Sequence, residues 1–351
     1  MKITKKYSIN ADIVRILAGF GVVLIHVSDP FIGYPPTMGT RGFSWELIHL
    51  VNTFFRTSVP LFIMLSGYLL LDPTKSFDPK TFYRKRLWRV GIPFIFWVLV
   101  DLTWTYFNSE KVPTPFELFE KVLGVNLGHL YFLVIILELY YLTPYLLAFI
   151  KNTSRKMHTY LLYNAFGFTL LLSGISALSD KASVITSDNI ITIFLPFVGY
   201  YVAGYYFKDT IVKYATSFWT VAAYFILTFI TAMASNGDVG AYPRQYGSPF
   251  IIVMTLISFL YLMRNTLIAS LANNAVVLSS VKFLASTIFG IYLTHMLVLN
   301  LFDYWYGIIP ESVPSPMWQF VLLKIAVVFT VCLIIVSIGK RVPYVRSIFG
   351  S

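Results

Sequence analysis

Ten apolar stretches, each about 20 residues long, recur along this chain with little sequence between them. A helix needs about 20 apolar residues to cross the ~30 Å hydrocarbon core of a bilayer, so each stretch predicts a membrane-spanning helix. The stretches cover residues 12–32, 47–71, 87–107, 130–150, 157–179, 190–207, 212–234, 250–268, 283–302 and 317–339. We therefore expect an all-α, polytopic integral membrane bundle of about ten transmembrane helices.

The composition excludes most other classes of protein. Only 12% of the residues are charged, about half the share of an average soluble domain, which is too few to cover a water-facing surface. The loops between the predicted spans are too short for a soluble catalytic domain, so residues 1–351 are expected to form a single transmembrane domain. The one cysteine, Cys332, excludes intrachain disulfides and zinc sites built from cysteines.

The net charge of +11 is explained by topology. With the N-terminus inside, the inner segments hold nineteen Lys and Arg residues and the outer segments hold five, which are Arg41, Lys111, Lys121, Lys181 and Arg244. Cytoplasmic loops of membrane proteins carry this excess of basic residues. The pattern predicts that both termini are cytoplasmic, and it shows no coherent basic face for nucleic acid.

Ionisable residues inside the predicted spans indicate a polar cavity, because charges at membrane depth are costly and face a bundle interior. Arg15 and His26 are 11 residues apart in the first span, which puts them on one helix face about 16 Å apart along the axis. Arg15 is expected near the cytoplasmic entrance and His26 beyond the midplane. A histidine there can remove a proton from a hydroxyl group, although a structural histidine bonded to a neighbouring helix is the alternative.

A second group of charges enters the third span. Arg84 and Lys85 are also explained by membrane anchoring, whereas Arg86 and Arg89 share a helix face and Arg89 is already within the apolar run. A guanidinium group is suited to phosphate, so we expect this cluster to bind a phosphorylated donor that arrives from the cytoplasm.

Further polar residues are candidates for the substrate site. Arg56 is an intramembrane cation that requires an anionic or carbonyl partner, and Glu138 is one candidate because buried charges pair. The other candidates are Ser66, His129 and His295. The two histidines are predicted at a depth near that of His26, but the spacing of the three carries no zinc signature, so no metal is expected.

Three motifs together resemble the acyltransferase 3 family: Arg15-x10-His26, Ser66-Gly67-Tyr68 and Arg86-x-x-Arg89. Further agreement lies in Val59-Pro-Leu-Phe62, His129-Leu-Tyr-Phe132 and Ile291-Tyr-Leu-Thr-His295. The resemblance runs from residue 8 to about residue 340. It is closest to the short members, which lack an extracytoplasmic esterase-like domain.

The resemblance implies a membrane-bound O-acyltransferase of a bacterial plasma membrane. It would move an acyl group, most commonly acetyl, from cytoplasmic acyl-CoA to a hydroxyl of a cell-surface or lipid-linked carbohydrate. By the same resemblance, His26 is the catalytic residue, as general base or acyl carrier, and Arg15, Arg86 and Arg89 are its essential partners. Transfer would be direct or would pass through a separate extracytoplasmic partner.

Two other classes of function are compatible with the residues alone. A transporter of a small molecule or glycolipid would also need a polar cavity and buried charges. A scaffold subunit of a glycan-export complex would need neither donor nor catalysis. Loss of product formation with retained CoA binding after His26→Ala distinguishes an enzyme from both.

Overall fold

The computed structural model describes residues 8–33, 42–109, 112–123, 127–178, 191–208, 210, 215–235, 241–306 and 316–350. These residues are mostly helical and include no β-strand. The α-helices are α1 (Ile9–Gly33), α2 (Phe43–Phe55), α3 (Ser58–Leu70), α4 (Pro79–Arg86), α5 (Ile92–Asn108), α6 (Pro115–Leu123), α7 (Tyr131–Asn152), α8 (Arg155–Leu178), α9 (Val198–Tyr206), α10 (Phe218–Ala234), α11 (Pro249–Arg264), α12 (Thr266–Ser270), α13 (Ala275–Tyr306) and α14 (Met317–Gly339).

Within these described ranges, seven helical segments are long and apolar enough to cross a membrane. They are Ile9–Ile32, Phe43–Leu70, Pro79–Asn108, Gly128–Asn152, Tyr242–Asn273, Ala275–Tyr306 and Met317–Gly339. The prediction of an all-α polytopic membrane protein is therefore confirmed. The number ten stays a prediction. The other three stretches, 157–179, 190–207 and 212–234, coincide with α8, α9 and α10 but extend in part outside the described residues. The outer basic residues Arg41, Lys111 and Lys181 also lie outside the described residues.

Helix α1 lies at the centre of the bundle, in contact with α2, α3, α11, α13 and α14. A short 3-10 helix, Val345–Phe349, folds back onto this core, where Trp97 Nε1 donates a hydrogen bond to the Ile348 carbonyl over 2.9 Å. The following residue, Gly350, lines the same cavity as Arg15 of α1. The start of α1 and the end of the described chain thus lie at one end of the bundle. We call it the inner end, because the charge pattern predicts that it faces the cytoplasm, and we call the opposite end the outer end.

Prolines explain two irregularities in the spans. The second span is broken into α2 and α3 by a turn at Arg56 and Thr57, because the ring of a helical proline clashes with the carbonyl four residues earlier, here Arg56 before Pro60. A π-helical turn, Leu87–Gly91, joins α4 to α5 just before Pro93. Helix α1, in contrast, continues through Pro30 to Gly33.

Two glycines allow α3 and α9 to pack backbone against backbone. A Cβ atom on Gly67 would lie 1.8 Å from the Tyr201 carbonyl oxygen, and one on Gly204 would lie 1.9 Å from the Met64 carbonyl oxygen. Small residues permit this close approach between membrane helices. The contact fixes α3, and with it the neighbouring Ser66.

An ion-pair cluster closes the loop after α3. The Asp72 carboxylate lies 2.5 Å from Lys75 Nζ and 2.9 Å from Lys208 Nζ, and it accepts a hydrogen bond from Thr74 Oγ1 over 2.6 Å. Burial raises the pKa of Asp72, but these donors together outweigh burial, so the pKa lies well below its usual value. The cluster joins the loop to the end of α9.

Candidate active site

A cavity of about 370 Å³ opens at the inner end of the bundle. It is bordered by α1, α3, the end of α4, the π-turn, α7, α13 and Gly350. Its charged and polar side chains are Arg15, Ser66, Arg86, Arg89, Tyr140 and Tyr292. The cavity therefore gathers residues from five of the seven membrane-spanning segments around three guanidinium groups.

The three arginines of this cavity differ in how they are held. Arg15 is paired with Asp12 one turn earlier. The Arg86 guanidinium lies 5.1 Å from the ring centroids of both Phe82 and Tyr140, and its Nε is buried with no hydrogen-bond partner in the described part of the chain. Arg89 lies on the π-turn and is exposed. With one carboxylate against three guanidinium groups, the cavity is suited to an anion.

Three histidines form a cluster next to this cavity. The ring centroid of His295 lies 5.2 Å from that of His26 and 4.8 Å from that of His129, and those of His26 and His129 are 6.4 Å apart. His129 and His295 are buried, and His26 is half-buried. The sequence predicts a similar depth for the three residues. In the structure their rings meet where α1 and α13 pack against the turn before α7.

Backbone hydrogen bonds orient two of the three rings. Nδ1 of His295 donates to the Tyr292 carbonyl over 2.6 Å, and its Nε2 is buried with no hydrogen-bond partner among the described residues. Nε2 of His129 lies 3.4 Å from the Leu293 carbonyl, which can only accept. In a neutral imidazole the second nitrogen is then an acceptor. The His295 ring, which lies beside His26, thus has a free lone pair.

Tyr292 and Phe132 separate the cavity from the histidine cluster. Both side chains line the cavity, and their ring centroids are 5.5 Å apart. The Tyr292 hydroxyl donates to the His129 carbonyl over 2.5 Å, and its ring lies 5.5 Å from that of His129. The arginine-lined cavity and the histidines are therefore one aromatic layer apart.

Arg56 lies at the outer end, in a polar network with residues of α1 and α2. Its Nη2 lies 2.5 Å from Asp29 Oδ1, and its Nε donates to Asn52 Oδ1 over 3.0 Å. Asn52 in turn donates to Asp29 and to Ser28 Oγ. The anionic partner of Arg56 is thus Asp29 and not Glu138, because the continuation of α1 through Pro30 brings Asp29 beside the end of α2.

The remaining predicted residues lie away from the cavity or contribute to its wall. Arg84 and Lys85 are exposed and do not line the cavity. Glu138 does not line it either, and its Oε2 is buried with no hydrogen-bond partner among the described residues. Ser66 lines the cavity while its hydroxyl donates to the Phe62 carbonyl over 2.9 Å.

Sequence reasoning misses Tyr140, which stacks on Arg86, and Arg244, whose guanidinium nitrogens Nε and Nη1 are buried without a hydrogen-bond partner in the described chain. A signal for Tyr140 exists. In four cases a proline lies four residues after a site residue. The ring of a helical proline clashes with the carbonyl of the residue four positions earlier, which here is the site residue. The four site residues are His26, Arg56, Arg89 and Tyr140, followed by Pro30, Pro60, Pro93 and Pro144.

The described residues include no group of three or more His, Cys, Asp or Glu side chains placed to hold a metal ion. In the histidine cluster, ring nitrogens of His129 and His295 are directed at backbone carbonyls. The arrangement is therefore one of arginines suited to an anionic ligand beside histidines suited to proton transfer.

Comparison with curated proteins and with solved structures gives no match. The family model described as "Acyltransferase domain" matches residues 8–337, nearly the whole chain. This range contains the arginine-lined cavity, apart from Gly350, and all three clustered histidines. The chain therefore belongs to the acyltransferase 3 family, and it is a membrane acyltransferase.

Proposed function

We propose that this protein takes an acyl group, most commonly acetyl, from acyl-CoA at the inner end and transfers it to a carbohydrate hydroxyl. The acceptor is a cell-surface or lipid-linked glycan, and the membrane is the bacterial plasma membrane. The proposal makes the protein an O-acetyltransferase that modifies polysaccharide of the cell envelope. It acts alone or with a separate extracytoplasmic transferase partner.

The donor side of the proposal is supported by the three arginines of the inner cavity. CoA carries several phosphate oxygens, and guanidinium groups bind such oxygens through charge-assisted hydrogen bonds. The proposed phosphate ligands are the exposed Arg89 and Arg86, whose buried Nε has no partner among the residues that the structure describes. Arg15 lies on the same face of α1 as His26 and is the arginine proposed to bind nearest the thioester.

The chemistry is assigned to His26. As a general base, it takes the proton of the acceptor hydroxyl while that oxygen attacks the thioester carbonyl. The carbon–sulfur bond then breaks, and the CoA thiolate leaves and receives the proton. As an acyl carrier, His26 would instead hold the acyl group between two such steps. The products are the same in both cases, an ester and free CoA.

His295 is the proposed positioning residue for His26. Its Nδ1 is committed to the Tyr292 carbonyl, so its Nε2 lone pair is available to the neighbouring His26 ring. Accepting a hydrogen bond from one nitrogen of His26 leaves the other nitrogen free as a base. We do not assign this role to Asp29, because its Oδ1 is engaged by Arg56 and Asn52.

One observation carries the proposal: the histidine cluster lies one aromatic layer, Tyr292 and Phe132, from a cavity with three arginines. A donor bound by its phosphates in that cavity has its reactive end directed toward this layer if it extends along α1. A transporter needs no histidine with an available lone pair at this position.

The test is acyl transfer in membrane vesicles that contain the full chain, with labelled acetyl-CoA and the glycan fraction of the host envelope. We expect label in the glycan with the wild-type protein and none with His26→Gln. The matched control is His158→Gln, because His158 is also buried but bonds to the Ile150 carbonyl, away from the cluster. Equal transfer by wild type and His26→Gln would exclude the assigned role of His26.

A further inference from the structure

The outer end of the bundle contains a second cationic site, separate from the inner cavity. Arg244 ends a 3-10 turn, Tyr242–Arg244, that precedes α11. Its Nε and Nη1 are buried and have no hydrogen-bond partner within the described residues. A buried polar group without a partner is unusual and destabilising, the more so when it is charged. The position of this guanidinium therefore requires an explanation.

The loop that carries Arg244 is held firmly. The Tyr200 hydroxyl donates to the Tyr246 carbonyl over 2.6 Å, and Ser173 Oγ donates to the Gly247 carbonyl over 2.7 Å. Ser248 Oγ donates to the Pro243 carbonyl over 2.7 Å and so closes the loop on itself. Side chains of α8 and α9 thus fix the backbone after Arg244, and Ser248 fixes the residue before it. The burial of its guanidinium is a property of the fold and not of a loose surface side chain.

Arg244 lies near the network around Arg56. Its electrostatic neighbours are Arg56 and Asp29, and Arg56 is in turn an electrostatic neighbour of His26 and Tyr131. Among these groups one carboxylate, Asp29, faces two guanidinium groups, and it already contacts Arg56 at 2.5 Å. Within the described part of the chain, one positive charge of this group is therefore left without a counter-charge. Buried arginines of this kind bind carboxylate or phosphate oxygens.

We propose that Arg244, together with Arg56, binds an oxyanion of the acceptor, so that the acceptor is a carbohydrate bearing a carboxylate or a phosphate. This inference rests on the proposed function, because it assigns the anion to the acceptor and not to the donor. The donor phosphates have their own arginines at the inner end, on the other side of the histidine cluster. An acceptor held by Arg244 enters from the outer end and presents its hydroxyl toward His26.

The hydroxyl groups near this site fit a carbohydrate. The Tyr131 hydroxyl lies 3.5 Å from that of Tyr246, two residues after Arg244. The hydroxyls of Tyr131 and Tyr246 supply hydrogen bonds that do not depend on the charge of the sugar. Arg244 and Arg56 therefore add the preference for an acidic sugar over a neutral one.

The test compares three probes on the purified full-length protein at constant ionic strength: glucuronate, glucose 1-phosphate and glucose. We expect at least one acidic sugar to raise the thermal unfolding temperature, with an affinity at least about tenfold higher than that of glucose. A preference for glucuronate identifies a carboxylate ligand, and a preference for glucose 1-phosphate identifies a phosphate ligand. Equal shifts with all three probes would overturn the proposal.

Substitutions of Arg244 test whether this residue causes the preference for acidic sugars. Arg244→Gln should remove the preference for the acidic sugar, and Arg244→Lys should keep part of it because the charge remains. Lys121→Gln is the matched control, since Lys121 is another outer cation but pairs with Asp101. A preference for the acidic sugar that survives Arg244→Gln contradicts the inference. If that variant does not fold, the inference is tested by the Arg244→Lys variant and by the comparison of the three probes on the wild-type protein.

A parallel measurement of acetyl-CoA binding separates this inference from the proposed function. Arg244→Gln should bind acetyl-CoA as the wild type does, because the donor arginines lie at the inner end. Sugar-acid binding that depends on Arg244 without any acetyl-CoA binding would leave the anion site standing and refute the proposed donor. Acetyl-CoA binding without a preference for acidic sugars would support the proposed donor and refute the anion site at Arg244.

Discussion

Substituting Gly67 by alanine tests the close packing that positions the cavity wall. The new Cβ atom would lie 1.8 Å from the Tyr201 carbonyl oxygen, so α3 and α9 must separate by at least about 1.6 Å to reach ordinary van der Waals contact. The obstacle is backbone on a packed helix, which no side-chain rotation can relieve. Overpacking of this kind costs about 1–3 kcal/mol, and occasionally more. We expect a loss near or above the upper value.

The assay is thermal unfolding of the purified protein in detergent, with Gly174→Ala as the matched control. Gly174 is also helical, in α8, but a Cβ atom there has no neighbour within 4 Å. Alanine should therefore leave the stability unchanged at Gly174 or raise it by up to about 1 kcal/mol, the difference in helix propensity. Only the substitution at Gly67 should lower the unfolding temperature.

A double substitution sharpens the test. Gly204→Ala alone should be as damaging as Gly67→Ala, because its Cβ atom meets the Met64 carbonyl oxygen at 1.9 Å. Once one alanine has separated the helices, the second should cost less, so the two effects should not add. The reasoning is refuted if Gly67→Ala is as stable as Gly174→Ala, or if the two losses add fully.

Three other predictions follow from single contacts. Asp72→Asn should lower the stability above pH ~4. The difference should shrink below that pH, because the carboxyl of the unfolded chain then binds a proton while the folded one, whose pKa is lowered, does not; unfolding from neutral pH to pH 3 checks this, and a constant difference contradicts it. Asp303→Asn should destabilise more than Lys324→Met, since it leaves the buried Lys324 ammonium without its partner at 2.5 Å; a chemical-denaturation series that ranks them oppositely refutes this. Tyr292→Phe should affect kcat more than KM: it should lower kcat and change the KM for the donor less, because it removes only the hydrogen bond to the His129 carbonyl. A change in KM alone contradicts this prediction.

The sequence predicts the class of fold because membrane spans are a local property. Stretches such as 317–339 and 130–150 agree with the helical segments Met317–Gly339 and Gly128–Asn152 to within two residues. Backbone groups in a bilayer must bond within the helix, so hydropathy alone determines such elements. The stretch 157–179 shows the limit, since α8 has the required length but is not among the seven sufficiently apolar segments.

Partners of buried charges are harder to predict, because the choice between them depends on tertiary packing. The sequence suggests Glu138 as a partner for Arg56, because both lie within predicted spans. The structure selects Asp29 because α1 and α2 are neighbours. The sequence likewise predicts one depth for His26, His129 and His295, but only lateral packing of the helices brings their rings within 4.8–6.4 Å.

Arg244 illustrates a residue that no local pattern identifies. In the sequence it is one of five outer basic residues that the positive-inside rule leaves unexplained. Its significance lies in burial without a partner in the described ranges, and burial is decided by residues of α8 and α9 that hold its loop. Tyr140 is similar, although Pro144 four residues later marks it once the same spacing is noticed at His26 and Arg89.

Acetyl-CoA binding to purified protein tests the central claim most directly, which is that the inner cavity holds the donor and His26 carries out the chemistry. We expect Arg86→Gln and Arg89→Gln each to weaken binding at least about tenfold, and His26→Ala to bind as the wild type does while transferring no acyl group. Arg341→Gln, an exposed basic residue outside the cavity lining, is the control and should bind normally. Unchanged binding in both cavity variants, or in folded wild type no binding at all, would contradict the account.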